Sequence, residues 1–167
     1  MNTELSTEIR PGTYTIDSSR STCTLVVTHA FGLMPVNATV AISGGTVTLT
    51  TDPARYTASA TLEAASFRSG SRQRDRDVTK RFFNAARYPQ IAFRSIGFND
   101  RRITGVLSVR GTNSPVTLDI TSWASTGNGY RASATTEIDR ITAGVKAGRG
   151  MVARKVLFTL EVVVSAS

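Results

Sequence analysis

The sequence is poor in the residues that most often build metal and nucleophilic sites, since its 167 residues include one cysteine, Cys23, and one histidine, His29. A single cysteine cannot form an internal disulfide, and one cysteine with one histidine cannot form the usual metal cluster. Both residues fall on one predicted strand, six positions and roughly 20 Å apart at about 3.3 Å per residue. That distance excludes a direct Cys–His catalytic pair. We therefore predict no metal site and no catalytic residues.

Long apolar runs are also absent, because no stretch approaches the roughly 20 apolar residues of a membrane-spanning helix. The first eight residues, MNTELSTE, are polar and acidic, whereas a secretory signal begins with basic residues and an apolar run. These features predict a cytoplasmic protein. We expect residues 1–11 to form a disordered tail and residues 12–167 to form one domain, since a chain of this length normally builds one core.

Acidic residues are few, with 12 Asp and Glu against 20 Lys and Arg, which gives a net charge of +8. Such a charge attracts anionic partners of any kind, either nucleic acid or phospholipid. Residues 68–87 hold seven basic residues against two acidic ones, a local charge of +5. The basic residues of this segment are Arg68, Arg72, Arg74, Arg76, Lys80, Arg81 and Arg87.

Alternation of apolar and polar residues dominates the rest of the chain and predicts strands. The strand candidates are residues 13–17, 21–30, 36–43, 46–51, 56–65, 90–98, 102–110, 116–123, 130–139 and 156–165. Turn-forming combinations separate them, among them Gly44-Gly45, Asp52-Pro53, Asn99-Asp100 and the segments 113–115 and 127–129. A meander of this length usually closes and so removes its edges. The pattern therefore predicts an all-β, lipocalin-like, extended antiparallel β-barrel of about eight strands.

Residues 71–83 are the exception and predict one short inserted helix. Val78 and Phe82 are four positions apart, and basic residues occupy the last turn, which suits the helix dipole. Either Ser69 or Ser71 would cap this helix. We interpret Asp75 and Asp77 as capping and ion-pairing groups rather than as paired catalytic carboxylates.

The inward faces of the predicted strands include several alanines, which leave space that larger side chains would fill. An eight-stranded barrel is near the width at which an interior changes from filled to ligand-holding. We therefore predict a cavity for an apolar ligand. His29 is either a polar contact for a head group near the cavity mouth or a strand-end residue whose imidazole is satisfied by local hydrogen bonds. The other candidate ligand contacts are Leu25, Val27, Val40, Ile42, Ala60, Leu62, Phe82, Phe83, Ile91, Phe93, Leu107, Val109, Leu118, Ile120, Phe158 and Leu160.

Three stretches together resemble the YceI-like family, the polyisoprenoid-binding, lipocalin-like proteins. The first is residues 12–17, GTYTID, followed by the apolar alternation that ends at His29. The second joins Arg74-Asp75, Phe82-Phe83-Asn84 and residues 88–95, YPQIAFRS, and is similar to the family pattern RD…FF…YPxIxFxS. The third is residues 105–112, GVLSVRGT, with Pro115-Val116. The resemblance covers nearly the whole chain, from about residue 11 to residue 165.

This resemblance implies an extended barrel whose apolar tunnel binds a polyprenyl chain or an isoprenoid quinone. It also implies a carrier or store without established catalytic residues or a cofactor, and it suggests a homodimer. The sequence departs from the family pattern where Arg76-Asp77-Val78 replaces a usual histidine. Val40 and Ala143 stand where the family has bulky groups, so these departures concern the shape of the pocket.

Alternatives remain open at this level. His29 could act as the general base of a small-molecule enzyme if an acid or nucleophile lies within hydrogen-bond reach. A basic barrel could also bind nucleic acid on exposed aromatic residues, whereas lipid binding places those aromatics inside. The aromatic candidates are Tyr14, Tyr56, Tyr88, Trp123 and Tyr130. The basic segment 68–87 could dock on an anionic membrane, or it could be a solvated helix whose apolar face fills one end of the barrel.

Overall fold

Strands make up most of the computed structural model, which describes residues 9–29, 35–147 and 152–167; the side chains of residues 28, 29 and 152 lie outside the described part. The strands are Gly12–Ile16 (β1), Thr22–His29 (β2), Pro35–Val40 (β3), Ile42–Leu49 (β4), Thr57–Glu63 (β5), Gln90–Asn99 (β6), Arg102–Val109 (β7), Thr112–Ser125 (β8), Gly129–Asp139 (β9) and Val152–Ala166 (β10). Each overlaps a predicted segment, because the alternation of apolar and polar residues fixes which stretches can cover a core. The predicted strand 36–43, however, is divided between β3 and β4, and β8 and β10 each begin four residues earlier than predicted.

The sheet closes into a barrel of eight strand positions, with every pairing antiparallel. A 3₁₀ turn, Ser18–Arg20, separates β1 from β2, and both segments pair with β10. One residue separates β3 from β4, which pair with β2 and β1 respectively. The meander from β5 to β10 completes the ring, and Tyr14 of β1 pairs with Ala166 of β10. This closure confirms the predicted all-β, lipocalin-like barrel.

The barrel has two different ends. The connections from β5 to β6, β7 to β8 and β9 to β10 lie at one end, which we call the helix end. The connections from β4 to β5, β6 to β7 and β8 to β9 lie at the other, which we call the aromatic end after Tyr14, Trp123 and Tyr130. Among the helices that the structure describes, none has the length and apolar composition required to cross a bilayer.

One short helix interrupts the strands, as predicted, in the connection from β5 to β6. The α-helix Arg72–Asp77 (α1) is capped by Ser71, whose hydroxyl oxygen accepts from the Arg74 amide at 3.3 Å. It continues as a π-helical turn, Val78–Phe82, in which the Phe83 amide donates to the Val78 carbonyl at 2.9 Å. The wider turn lets Val78, Phe82 and Phe83 all face the barrel interior.

Two of the predicted turns are wrong. Gly44-Gly45 lies inside β4, where β4 and β5 approach so closely that a Cβ at Gly45 would lie 2.3 Å from the Ser59 carbonyl oxygen. Glycine is needed there for the close approach of two strands rather than for a turn. Residues 113–115 lie inside β8, and the turn before β8 uses Arg110 and Gly111, both with positive φ.

Candidate functional site

The barrel encloses a cavity of about 610 Å³ that reaches from the aromatic end to the helix end. Trp123 and Tyr130 line it at the aromatic end, and Phe82 and Arg140 line it at the helix end. Small side chains of two strands form part of its wall: Ala58, Ala60, Ala132 and Ala134. The volume lies within the range of roughly 300–1,000 Å³ that is typical of small-molecule sites. The interior is therefore not filled by the protein's own side chains.

Fifteen of the seventeen predicted contact positions lie on the wall of this cavity. Alternation explains the thirteen that lie on strands, because every second residue of a barrel strand faces inward, while Phe82 and Phe83 belong to the helical segment. These wall residues are Leu25, Val27, Val40, Ala60, Leu62, Phe82, Phe83, Ile91, Phe93, Leu107, Val109, Leu118, Ile120, Phe158 and Leu160. Ala143, at which the sequence departs from the family pattern, also lines the cavity.

The other two predicted contact positions, Ile42 and His29, are not among the wall residues that the structure describes. Ile42 is buried in the packed core but does not line the cavity. The β4–β5 register shifts between Ile42 and Gly44, and such a bulge bends its strand, which accounts for the different position of Ile42. His29 ends β2 opposite Val152, and its side chain lies outside the described residues. Its two suggested roles, head-group contact and general base, stay predictions.

An aromatic cluster that the sequence did not predict closes one end of the cavity. Tyr130 is fully buried, stacks on Trp123 with ring centroids 4.7 Å apart, and meets Tyr14 edge-on at 5.4 Å. The Arg10 amide donates to the Tyr130 hydroxyl oxygen at 2.9 Å, and the Arg10 guanidinium lies 5.0 Å from the same ring. Ile9 also lines the cavity. The last residues of the expected tail therefore contact the barrel.

The location of the aromatic residues bears on the choice between lipid binding and nucleic-acid binding. Tyr56, Trp123 and Tyr130 line the cavity, and Tyr14 is buried. Tyr88 is half-buried, with the Arg87 guanidinium 5.3 Å from its ring. Bases stack on aromatic rings that are exposed beside basic residues. The inward position of four of these five aromatics disfavours a nucleic-acid surface.

A buried guanidinium lies at the helix end of the cavity. Arg140 is 6% exposed and donates to the main-chain carbonyls of Val145, Ala147 and Ala153 at 2.7–2.9 Å. Burial lowers the pKa of Arg140, and the neighbouring Asp139 carboxylate opposes that effect. Arginine nevertheless stays protonated at neutral pH. Arg140 therefore places a positive charge beside a largely apolar wall and shapes the connection that follows β9.

The two aspartates of the helix segment have different partners. Asp77 lines the cavity and accepts from Arg81 at 3.2 Å, which confirms its predicted ion pairing. Asp75 is buried and accepts from the amide and the hydroxyl of Ser69 at 2.8 and 2.6 Å. Arg74 also lines the cavity and donates to the Ser69 hydroxyl. Both carboxylates are thus engaged within the segment.

Cys23 is the one thiol and lies on the cavity wall. Its burial raises the pKa of the thiol to about 12. The thiolate, which is the nucleophilic form, is therefore scarce near neutral pH. Within the described ranges, no three His, Cys, Asp or Glu side chains are grouped so as to hold a metal ion.

Solved structures with the same fold include proteins from three bacteria. The crystal structure of Burkholderia cenocepacia BcnA has a TM-score of 0.76 at 25% identity and covers 89% of this chain and 98% of its own. A polyisoprenoid-binding domain from Saccharophagus degradans, implicated in plant cell wall breakdown, has a TM-score of 0.72 at 10% identity and covers 95% and 100%. The Campylobacter jejuni YceI protein has a TM-score of 0.58 at 16% identity and covers 77% and 84%.

Sequence comparison identifies the family. No curated protein matches the chain. The model of the YceI-like domain, however, matches residues 14–164, which include every strand from β2 to β9 and most of β1 and β10. The match spans the barrel and the whole cavity wall apart from Ile9. The chain therefore belongs to the YceI-like family.

Proposed function

We propose that this protein binds a long isoprenoid lipid, either a polyprenyl chain or an isoprenoid quinone, inside the barrel and carries or stores it unchanged. The observation that carries the proposal is the apolar cavity of about 610 Å³ that extends between the two ends of the barrel. Burial of apolar surface contributes about 25 cal/mol per Å². A ligand whose length matches the cavity would therefore gain most of its affinity from contact with the wall.

The family supports an isoprenoid in particular. The Saccharophagus degradans domain, which has the same fold, is described as polyisoprenoid-binding. In this chain, branched aliphatic and aromatic side chains line the cavity, for example Leu25, Leu107 and Phe158. An extended, methyl-branched chain can contact such a wall along its whole length. A compact polar metabolite would leave most of that apolar wall without a partner.

Binding without catalysis is favoured by the state of three polar side chains on the wall. The Cys23 thiol stays protonated, Asp77 is paired with Arg81, and Arg140 donates to main-chain carbonyls. General acid–base catalysis needs a group that exchanges a proton near neutral pH within reach of the substrate. A protonated thiol and a guanidinium do not exchange a proton near neutral pH, and the Asp77 carboxylate is held by Arg81.

Native mass spectrometry of freshly purified protein tests the proposal directly. We expect a co-purifying apolar molecule, or uptake of an added isoprenoid quinone by protein from which lipid has been extracted. A quinone head group without its isoprenoid tail is the matched control, since it lacks the surface that the wall would bury. Failure to bind quinone, polyprenol and extracted cellular lipid alike would contradict the proposal.

Carriage, as distinct from storage, requires exchange with a membrane. Donor vesicles that contain a fluorescent isoprenoid and acceptor vesicles without it measure this exchange. We expect the protein to accelerate transfer in proportion to its concentration. Tight binding without accelerated transfer would leave storage as the role.

A further inference from the structure

We infer that the outer face of α1 and the turn after it is a docking surface for anionic membranes, which brings the helix end of the cavity to the bilayer. We call this surface the basic face and define it by Arg72, Gln73, Arg76 and Lys80, all of which are exposed. The inference extends the proposed function, because it names the partner and the end of the barrel through which a lipid would pass.

The first argument is the charge that the segment leaves exposed. Its carboxylates are engaged, since Asp75 is buried against Ser69 and Asp77 is paired with Arg81. Arg72, Arg76 and Lys80 make no ion pair within the described residues. Arg72 and Arg76 are four residues apart on α1 and share one face, and Lys80 follows in the next turn. The basic face is therefore an excess of positive charge rather than a network of internal ion pairs.

The second argument is the position of this charge beside the cavity. A shallow depression on the outer surface is lined by seven residues: Ser71, Gln73, Arg74, Arg76, Asp77, Lys80 and Arg81. Two of them, Arg74 and Asp77, also line the cavity inside the barrel. Only these side chains lie on both the inner and the outer surface of the segment among the described residues. A bilayer on the basic face would thus lie next to the helix end of the cavity.

The third argument is the two-sided character of the segment. Its inner side carries Val78, Phe82 and Phe83 on the cavity wall, while its outer side carries the basic face. Arg110 donates to the carbonyls of Arg81 and Phe82 at the end of the turn and so fixes the segment to the β7–β8 connection. A lipid surface suits this arrangement, because it offers anionic head groups to the outside and apolar chains to the cavity.

Co-sedimentation with vesicles of phosphatidylglycerol and phosphatidylcholine tests the inference. Arg72→Gln, Arg76→Gln and Lys80→Gln are combined in one variant. Three arginines near the aromatic end, of which Arg55 and Arg131 are exposed and Arg101 is half-buried, give a control with the same change in net charge when they are replaced as Arg55→Gln, Arg101→Gln and Arg131→Gln. Because each basic residue near an anionic surface contributes roughly fivefold, we expect the first variant to bind about a hundredfold more weakly and the control to bind nearly as the parent does.

Binding should also weaken with salt and disappear on vesicles of phosphatidylcholine alone. Equal losses in the two variants would overturn the inference, because net charge rather than the basic face would then be responsible. Unchanged vesicle binding combined with loss of binding to duplex DNA would overturn it in favour of a nucleic-acid partner. Circular dichroism of both variants checks that the barrel is intact.

A label provides a second measurement that does not depend on removing charge. The buried Cys23 thiol is unreactive near neutral pH, so a fluorophore can be attached selectively to Gln73→Cys on the basic face or to Gly127→Cys at the aromatic end. We expect brominated anionic lipids to quench the label at position 73 and not at position 127. Quenching at position 127 alone would overturn the proposed orientation.

These vesicles contain no isoprenoid, so the result is independent of the proposed function. Vesicle docking by a protein that binds no isoprenoid would remove the proposed function and leave the basic face as a membrane surface. Isoprenoid binding by a protein that does not dock would remove this inference alone.

Discussion

The guanidinium carbon of Arg140 lies 5.4 Å from the centroid of the Phe82 ring. Both side chains are buried and both line the cavity. Arg140 belongs to the connection after β9, and Phe82 belongs to the turn after α1. This contact therefore joins two connections at the helix end, and each supports the shape of the other beside the cavity.

Replacement of Arg140 by methionine should destabilise the protein. Arg140→Met keeps much of the apolar contact with Phe82 but removes the donors to three main-chain carbonyls. Hydrogen bonds from a charged group contribute about 1.5–3 kcal/mol each, and they are not additive. We expect the free energy of unfolding, measured with urea, to fall by about 2–4 kcal/mol.

Arg154 provides the control for this measurement. It donates to Asp139 at 2.8 Å, but its side chain is 58% exposed, and exposed ion pairs contribute about 1 kcal/mol or less. Arg154→Met should therefore cost far less than Arg140→Met. Similar losses in the two variants would show that the buried hydrogen bonds do not hold the connection.

Any side chain at Gly45 should destabilise the protein, because β4 and β5 approach closely at this position. A Cβ at this position would lie 2.3 Å from the Ser59 carbonyl oxygen and 2.9 Å from the Ala60 Cα. Gly45→Ala should force the strands apart and lower the free energy of unfolding by about 1–3 kcal/mol. Gly127→Ala is the matched control, since a Cβ there meets nothing within 4 Å. Denaturation midpoints that are the same for both variants would contradict the role assigned to Gly45.

The same glycine illustrates what a sequence pattern can predict. Alternation along the strands predicts the barrel and thirteen wall positions, because inward and outward residues must alternate wherever one face covers an interior. The sequence wrongly predicts a turn at Gly44-Gly45, because glycine serves both in turns and where two backbones approach closely. Only the pairing of β4 with β5 distinguishes these two uses, and that pairing is not written in the local sequence.

The two ends of the cavity were harder to predict than its wall. Arg140 donates hydrogen bonds to carbonyls that lie five, seven and thirteen residues away in the sequence, and no periodic sequence pattern predicts such contacts. The cluster of Tyr14, Trp123 and Tyr130 joins residues of three strands. Aromatic composition alone leaves these rings compatible both with a buried cluster and with an exposed stacking surface. The closure of the barrel decides between them.

The buried thiol of Cys23 should make stability depend on pH in the alkaline range. Burial raises the pKa of this thiol to about 12, whereas the pKa of an unfolded cysteine is about 8.5. Above about pH 8.5 the unfolded chain loses the proton that the folded chain keeps, so the free energy of unfolding falls as pH rises toward 12. The contribution is fully present below about pH 8.5.

A comparison with Cys23→Ala isolates this effect from other titrating groups. Between about pH 7 and about pH 10, we expect the parent protein to lose about 2 kcal/mol more than Cys23→Ala does. Urea titrations at the two pH values measure the difference. Parallel losses in the two proteins would mean that the thiol is not held protonated by burial.

Filling the cavity should abolish ligand binding without unfolding the barrel. Ala134 lies on the wall, opposite Leu160 and Ile120 in the sheet, so Ala134→Phe would occupy part of the 610 Å³. The space already exists, and the new ring should therefore fit with little change in the free energy of unfolding.

Thr135→Phe is the control for Ala134→Phe, because the next residue of a strand faces the outside of the barrel. Fluorescence titration with an isoprenoid quinone measures the affinity. We expect the affinity to fall at least tenfold for Ala134→Phe, because a ring in the cavity excludes apolar contact worth more than about 1.4 kcal/mol. The affinity of Thr135→Phe should change little. Undiminished binding by a folded Ala134→Phe variant would mean that the ligand does not occupy the barrel interior.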